Sequence, residues 1–233
     1  NNIKKFVHYL ISCNIGEILV MFSASVIGLP IPLFPIQILW INLVTDGFPA
    51  LALGVDPPQH GVMARPPRPT SERMVSARLL ARALAWLGLL AAALSLLGYF
   101  SVQWDVTGHL LRSFVDEGPR YREATTMTLA GVVACQVANA FACRSERESA
   151  FRVGLLSNQA LLWAVVAEVL LLTAVIALPP LRGLFEPEPV HPRYWPVLAA
   201  FPLLFLGAEE ARKLAVRRLL RRERSAAEPL ARA

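Results

Sequence analysis

The sequence predicts an all-α membrane protein with six transmembrane helices and both termini in the cytoplasm, and three observations carry that prediction. Apolar runs of about 20 residues, long enough to cross a ~30 Å hydrocarbon core, recur at roughly 7–28, 33–53, 78–101, 124–143, 155–178 and 194–214. Charged residues make up only 17% of the 233-residue chain and 55% of it is hydrophobic, whereas soluble domains carry roughly 25% charge. The basic residues fall on alternate connections. Lys4 and Lys5, five arginines between Arg65 and Arg82, three between Arg144 and Arg152 and eight basic residues from Arg212 onward make 18 of the 23. The positive-inside rule puts those segments, and so both ends, in the cytoplasm. The net charge of +6 then reflects topology, and no nucleic-acid motif accompanies it.

Taken in order, the first span follows Asn1–Lys5 directly, so the start reads as a full-length span and not a cleavable leader. The turn Gly28-Leu-Pro-Ile-Pro-Leu-Phe-Pro35 is dense in helix breakers and joins it tightly to the second span. A Pro-rich loop, DPPQHGVMARPPR from Asp56 to Arg68, comes next and is held extended by its prolines. The third span is Leu/Ala-rich scaffold. The external loop 102–123 scatters His109, Asp105, Asp116 and Glu117 without metal-ligand spacing, as a solvated face does. The fourth span carries Gln136 and Asn139, and the fifth carries a lone Glu168, read as a helix-packing contact or a carboxyl at the lipid edge in preference to an ion ligand. The sixth ends in Glu209-Glu210-Ala-Arg-Lys and runs into a basic tail, 215–233, suited to the membrane surface. Residues 1–214 thus form one transmembrane domain. Cys13, Cys135 and Cys143 lie in or at the ends of spans with no partner motif, so they read as small buried hydrophobes.

The chemistry concentrates in the first two spans. An ionisable group at mid-membrane depth is costly and is normally kept only where a cavity or ion uses it. Asn14 and Glu17 share one helix face by their i,i+3 spacing, and Asn42, Thr45 and Asp46 are related by i,i+3 and i,i+4. Carboxylate, amide and hydroxyl oxygens together form the ligand set of a hard cation, Ca²⁺ first and then Mn²⁺ or Mg²⁺. Gly47 and Pro49, directly after the acid, weaken the helix and can free carbonyls for such an ion. Interhelical hydrogen bonding is the structural alternative for this cluster. Gln136 stands open between ligand and packing contact.

NNIKKFVHYLISCNIGE at 1–17, PIQILWINLVTDGFPALALGVDPP at 35–58 and the MARPPR after it closely resemble the C-terminal transmembrane half of P-type cation-transporting ATPases of the calcium-pump branch. The likeness continues more weakly through TMTLAGVVACQVANAF and GAEEARKL. The resemblance implies that the six spans are the fifth to tenth helices of a ten-helix pump. It implies that Asn14 and Glu17 match the ion ligands of the fifth helix and Asn42, Thr45 and Asp46 those of the sixth. The Asn-Leu-Val-Thr-Asp wording is calcium-like, since sodium/potassium pumps are expected to carry a second acid at the place of Asn42. Gln136 stands where reticulum-type pumps have a glutamate, which favours one ion per cycle or altered proton counter-transport. The loop after Asp56 matches the loop coupling the membrane helices to the phosphorylation domain.

On this reading the chain is the ion-binding half of an ATP-driven pump exporting Ca²⁺, with Mn²⁺ as a second candidate. No Asp-Lys-Thr-Gly motif, nucleotide-binding or actuator segment occurs in it. ATP and Mg²⁺ would act only through the missing N-terminal half, the expected partner beside membrane lipid, and this chain would not hydrolyse ATP alone. High Ala, Leu and Arg usage suggests a bacterial plasma membrane. Three competitors remain: a same-family pump for Na⁺, Mg²⁺ or H⁺; a stand-alone six-helix channel, secondary transporter or assembly subunit; and a degenerate remnant without transport, against which the intact ligand set argues.

Overall fold

The computed structural model describes residues 2–57, 75–108, 114–146 and 148–227, with side chains through 219. The Pro-rich segment from 58, His109 and the tail beyond 227 lie outside the described residues. Six long helices form the fold: α1 Asn2–Ile27, α2 Pro35–Gly54, α3 Ala77–Thr107, α4 Gly118–Cys143, α5 Gln159–Ala177 and α6 Trp195–Ala227. Among the described residues there is no strand. Five of the six, α1 to α5, are long and apolar enough to cross a membrane. In α6 the apolar stretch begins at Trp195, and Glu209, Glu210, Arg212 and Lys213 interrupt it before a charge-sparse window of full membrane length is reached.

Local chemistry sets the ends. Pro35 opens α2, where its missing N–H costs nothing, and Gln37 Oε1 accepts from Phe34 N at 3.1 Å. Ser76 accepts from Leu79 N to cap α3, and Asn158 caps α5 by accepting from Leu161 N at 3.0 Å. Gly108 ends α3 in the left-handed conformation that glycine adopts without strain.

In a bilayer, apolar area drives helix association weakly, so close packing through small residues does more. α4 is the centre of the bundle: 83% of its membrane-length window is buried, against 22–50% for the other spans. Gly131 of α4 and Gly98 of α3 both lie against the Phe201 ring of α6, where an added Cβ would come within 3.2–3.3 Å of it. α1 packs on α3 through a second pair of glycines. A Cβ on Gly88 would lie 2.5 Å from Ile15 Cγ2, and one on Gly16 would lie 3.3 Å from Ala91 Cβ. The stretch Ala83–Gly88 of α3 is wound as a π-helix at this contact, a local widening that often marks functional sites.

At one end of the bundle meet the N-termini of α1, α3 and α5, the C-termini of α2 and α4, and the middle of α6. Two buried ion networks close this end. Asp56 receives Lys5, Arg144 and Asn158. Glu209 of α6, fully buried, receives Arg82 at 2.5 Å, the Trp86 indole at 3.0 Å and Arg212 at 2.8 Å. Lys5, Arg144 and Lys213, which the sequence offers as topology signals, are therefore buried partners in these networks. At the other end Gln103 holds Val115 by both its amide atoms, and Tyr194 donates to Asp105 at 2.7 Å. Asp105 is thus engaged with Tyr194 and Arg193 rather than merely solvated.

Candidate ion-binding site

Five of the six polar residues singled out in the sequence meet between α1, α2 and α4. α2 presents its share because its regular winding fails there. Ile41–Thr45 form a π-turn, with Asp46 N bonded to Ile41 O at 2.9 Å, and α-helical winding resumes at Gly47. Pro49 has no N–H to offer the Thr45 carbonyl. The break expected at Gly47–Pro49 therefore begins earlier, in the π-turn that carries Asn42 and Thr45 themselves.

Five of the six predicted residues are joined in one hydrogen-bonded chain. Asn42 Nδ2 donates to Glu17 Oε2 at 2.6 Å. Gln136 Nε2 donates to Asp46 Oδ1 at 2.8 Å and reaches Glu17 Oε1 at 3.5 Å. The Thr45 hydroxyl lies 3.0 Å from both Gln136 Oε1 and the Ile41 carbonyl, and its single proton serves one of them at a time. Glu17, Thr45, Asp46 and Gln136 are buried, whereas Asn42 is exposed on one edge. Asn14 stands apart: it is exposed and donates back to Leu10 O of its own helix at 2.8 Å. Both asparagines donate through their NH₂ groups, which leaves their Oδ1 atoms free of those bonds.

Two carboxylates thus share one neutral amide, with no lysine or arginine bonded to either among the described residues. Among the described residues no regular hydrogen bond reaches Asp46 Oδ2, which is buried close to the Tyr9 hydroxyl and the Cys13 thiol of α1. A buried carboxylate oxygen without such a bond is costly unless an ion or proton meets it, and this oxygen is the observation that fits a cation best. Among the described residues no three His, Cys, Asp or Glu side chains gather as a metal group. Any ion here would be held by two acids and neutral oxygens, the hard-cation pattern.

Sequence reasoning missed the support around the cluster. Asn139 donates to Ser12 Oγ at 2.7 Å and lies 3.4 Å from Cys13 Sγ, tying α4 to α1 one turn below Gln136. The i,i+3 spacing of Gln136 and Asn139 was the available signal. A small cavity lined by Ser12, Cys13, Ser95, Gln136 and Asn139 adjoins them. All three cysteines are buried and unbridged. Glu168 is fully buried on α5, with neither oxygen bonded, so the lipid-edge alternative for it is excluded.

The family pattern described as "Cation transporting ATPase, C-terminus" matches residues 30–215. The chain belongs to this cation-transporting ATPase family. A calcium-transporting ATPase of Bacillus subtilis is 39% identical over 209 residues, covering 88% of this chain and 22% of the relative. The endoplasmic reticulum calcium ATPase srcA of Aspergillus fumigatus is 33% identical over 94% of this chain and 24% of its own length. Calcium-transporting ATPase 1 of Bacillus cereus is 34% identical over 92% of the chain and 24% of its own length. The chain thus spans under a quarter of the relatives it matches. As a cation-transporting ATPase C-terminal region with several membrane-capable helices, it is an integral, multi-pass membrane protein.

Proposed function

We propose that this chain is the ion-binding transmembrane half of an ATP-driven Ca²⁺ pump, with Glu17, Asn42, Thr45, Asp46 and Gln136 as the inner ligands and Asn14 completing the open edge. The buried Oδ2 of Asp46, reached by no regular hydrogen bond among the described residues and facing a second carboxylate across one glutamine amide, carries this reading. Calcium-transporting relatives on both the bacterial and fungal sides support the choice of ion, and Mn²⁺, chemically close in its oxygen preference, is a second cargo. Gln136 supplies a neutral ligand, which suits one divalent ion per cycle. ATP and Mg²⁺ would act on domains that lie in the larger part of the pump.

Transport then follows from population shift. A pump alternates between states that bind the ion with different affinity, and phosphorylation elsewhere biases one of them. The π-turn of α2 is suited to change its winding, because it already departs from the α-helical bond pattern at the ligands. With the basic ends of the helices inside, both termini would be cytoplasmic and the ion would leave the cell.

In the full-length protein, Asp46→Asn should abolish Ca²⁺-dependent phosphoenzyme formation from ATP while leaving the protein folded. Ca²⁺ uptake that survives the change would sink the assignment. Phosphoenzyme that forms only with Na⁺ or another ion in place of Ca²⁺ would move the cargo to that ion.

A further inference from the structure

Asp56 follows α2 directly, is 3% exposed, and is the meeting point of four helices. Its Oδ2 accepts from Lys5 Nζ of α1 at 2.5 Å. Its Oδ1 accepts from Arg144 Nε, at the C-terminal cap of α4, at 3.0 Å and from Asn158 Nδ2, the N-cap of α5, at 2.9 Å. Its main-chain oxygen accepts from Asn2 Nδ2 at 2.8 Å, and Asn158 Nδ2 also holds the Ala52 carbonyl of α2 at 3.0 Å. Lys5, Arg144 and Asn158 are themselves buried. Arg144 reaches on to Gly154 O at 2.6 Å and Ser157 Oγ at 2.7 Å, which ties in the connection between α4 and α5.

The helices gathered here include all three that carry the inner ligands. Along α1, twelve residues separate Lys5 from Glu17; along α2, ten separate Asp46 from Asp56; along α4, eight separate Gln136 from Arg144. At 1.5 Å per residue these arms are about 18, 15 and 12 Å long. Packed helices pinned together at that distance can slide past one another at the ion site only by breaking the pin or changing their winding.

We infer that Asp56 is a positioning residue of the ion site: by clamping Lys5, Arg144 and Asn158 it sets the register in which Glu17, Asp46 and Gln136 face one another. The inference rests on the cation-site reading above. Two cations and an amide around one buried carboxylate make a bond set that removal of the charge unbalances at once, because Lys5 and Arg144 have little water to turn to. Groups that orient ligands change metal affinity when lost, even though they never touch the ion, and here the orienting is done through the helices.

The test is equilibrium ⁴⁵Ca²⁺ binding and thermal unfolding in EGTA on the full-length protein in detergent. D56N presents an NH₂ group to Lys5 Nζ or to Arg144, so one of the two contacts is lost; the paired change K5Q/D56N replaces the ion pair with an amide–amide bond. Glu209 supplies the control, a carboxylate as deeply buried at the same end of the bundle but bonded to α3 and α6. D56N should weaken Ca²⁺ binding roughly tenfold, K5Q/D56N should recover it to within about threefold, and E209Q should lower the unfolding temperature with affinity within about twofold of the unaltered protein. If D56N does not fold, K5M, which removes the donor to Asp56 Oδ2, carries the same expectation. Affinity unchanged in D56N or K5M, with unfolding lowered as in E209Q, makes Asp56 merely structural and overturns the inference alone. An unaltered protein that binds no Ca²⁺ overturns the site reading, and the inference with it.

Discussion

Glu17→Gln offers the sharpest measurement of the two-carboxylate arrangement. Gln136 Nε2 lies 2.8 Å from Asp46 Oδ1 and 3.5 Å from Glu17 Oε1, and these lengths laid end to end place the two oxygens at most 6.3 Å apart. Two unit charges at that distance repel by about 2.6 kcal/mol at an effective dielectric of 20. Without an ion that repulsion opposes the fold; with Ca²⁺ bound between them it becomes attraction to the ion. The glutamine retains an oxygen for the Asn42 NH₂ group, now 2.6 Å from Glu17 Oε2, so the local bond survives the change. In EGTA at alkaline pH, the variant should unfold roughly 5–10 °C higher than the unaltered protein, since each kcal/mol moves a domain of this size by about 2–4 °C. At 1,000 times Kd the unaltered protein should gain about 4.1 kcal/mol from binding, more than the repulsion relieved in the variant, and the variant far less, so the order of stability reverses. The assay is intrinsic fluorescence against temperature, with Ca²⁺ or EGTA. A variant destabilised equally in both conditions would refute the reasoning, because Glu17 would then be a structural hydrogen-bond acceptor and not a ligand.

Two further outcomes follow from the same geometry. Gln136→Glu removes the donor shared by Glu17 and Asp46 and adds a third acid, so the unfolding temperature in EGTA should fall, the Ca²⁺-induced rise should grow, and isothermal titration should show a second ion; an unchanged calcium response would take Gln136 out of the ligand set. Gly88→Ala forces a methyl to 2.5 Å from Ile15 Cγ2 and should cost about 1–3 kcal/mol, whereas Gly47→Ala meets nothing within 4 Å and should leave the unfolding temperature unchanged or slightly raised; equal effects would remove the close α1–α3 contact from the account.

Much of this molecule was legible because membranes constrain sequence so tightly. Apolar runs of spanning length could only be helices, and Asp46, set between Ile41–Val44 and Phe48–Leu53, had to meet something polar. The spacing of Asn14, Glu17, Asn42, Thr45 and Asp46 gave faces of helices, but it gave no distances between helices. Asn14 shows the limit: it shares Glu17's face by spacing yet bonds only Leu10 of its own helix. Glu168 shows another, since a lone acid in a span reads alike whether it meets lipid or core, and only packing shows it fully buried. In the sixth span Glu209 and Lys213 look like the charged end of a helix, and only packing shows both side chains buried in the bundle.

Sequence alone determined the helical class, the order of the spans and the residue types of the site, because these depend on local composition and on the 3.6-residue repeat. Tertiary structure decided which oxygens share one amide, that α2 is π-wound at its ligands, and that Asp56 and Glu209 bind the basic residues at one end of the bundle. Those features depend on contacts between residues 25 to 127 positions apart, and no local pattern records which of many possible partners a side chain meets.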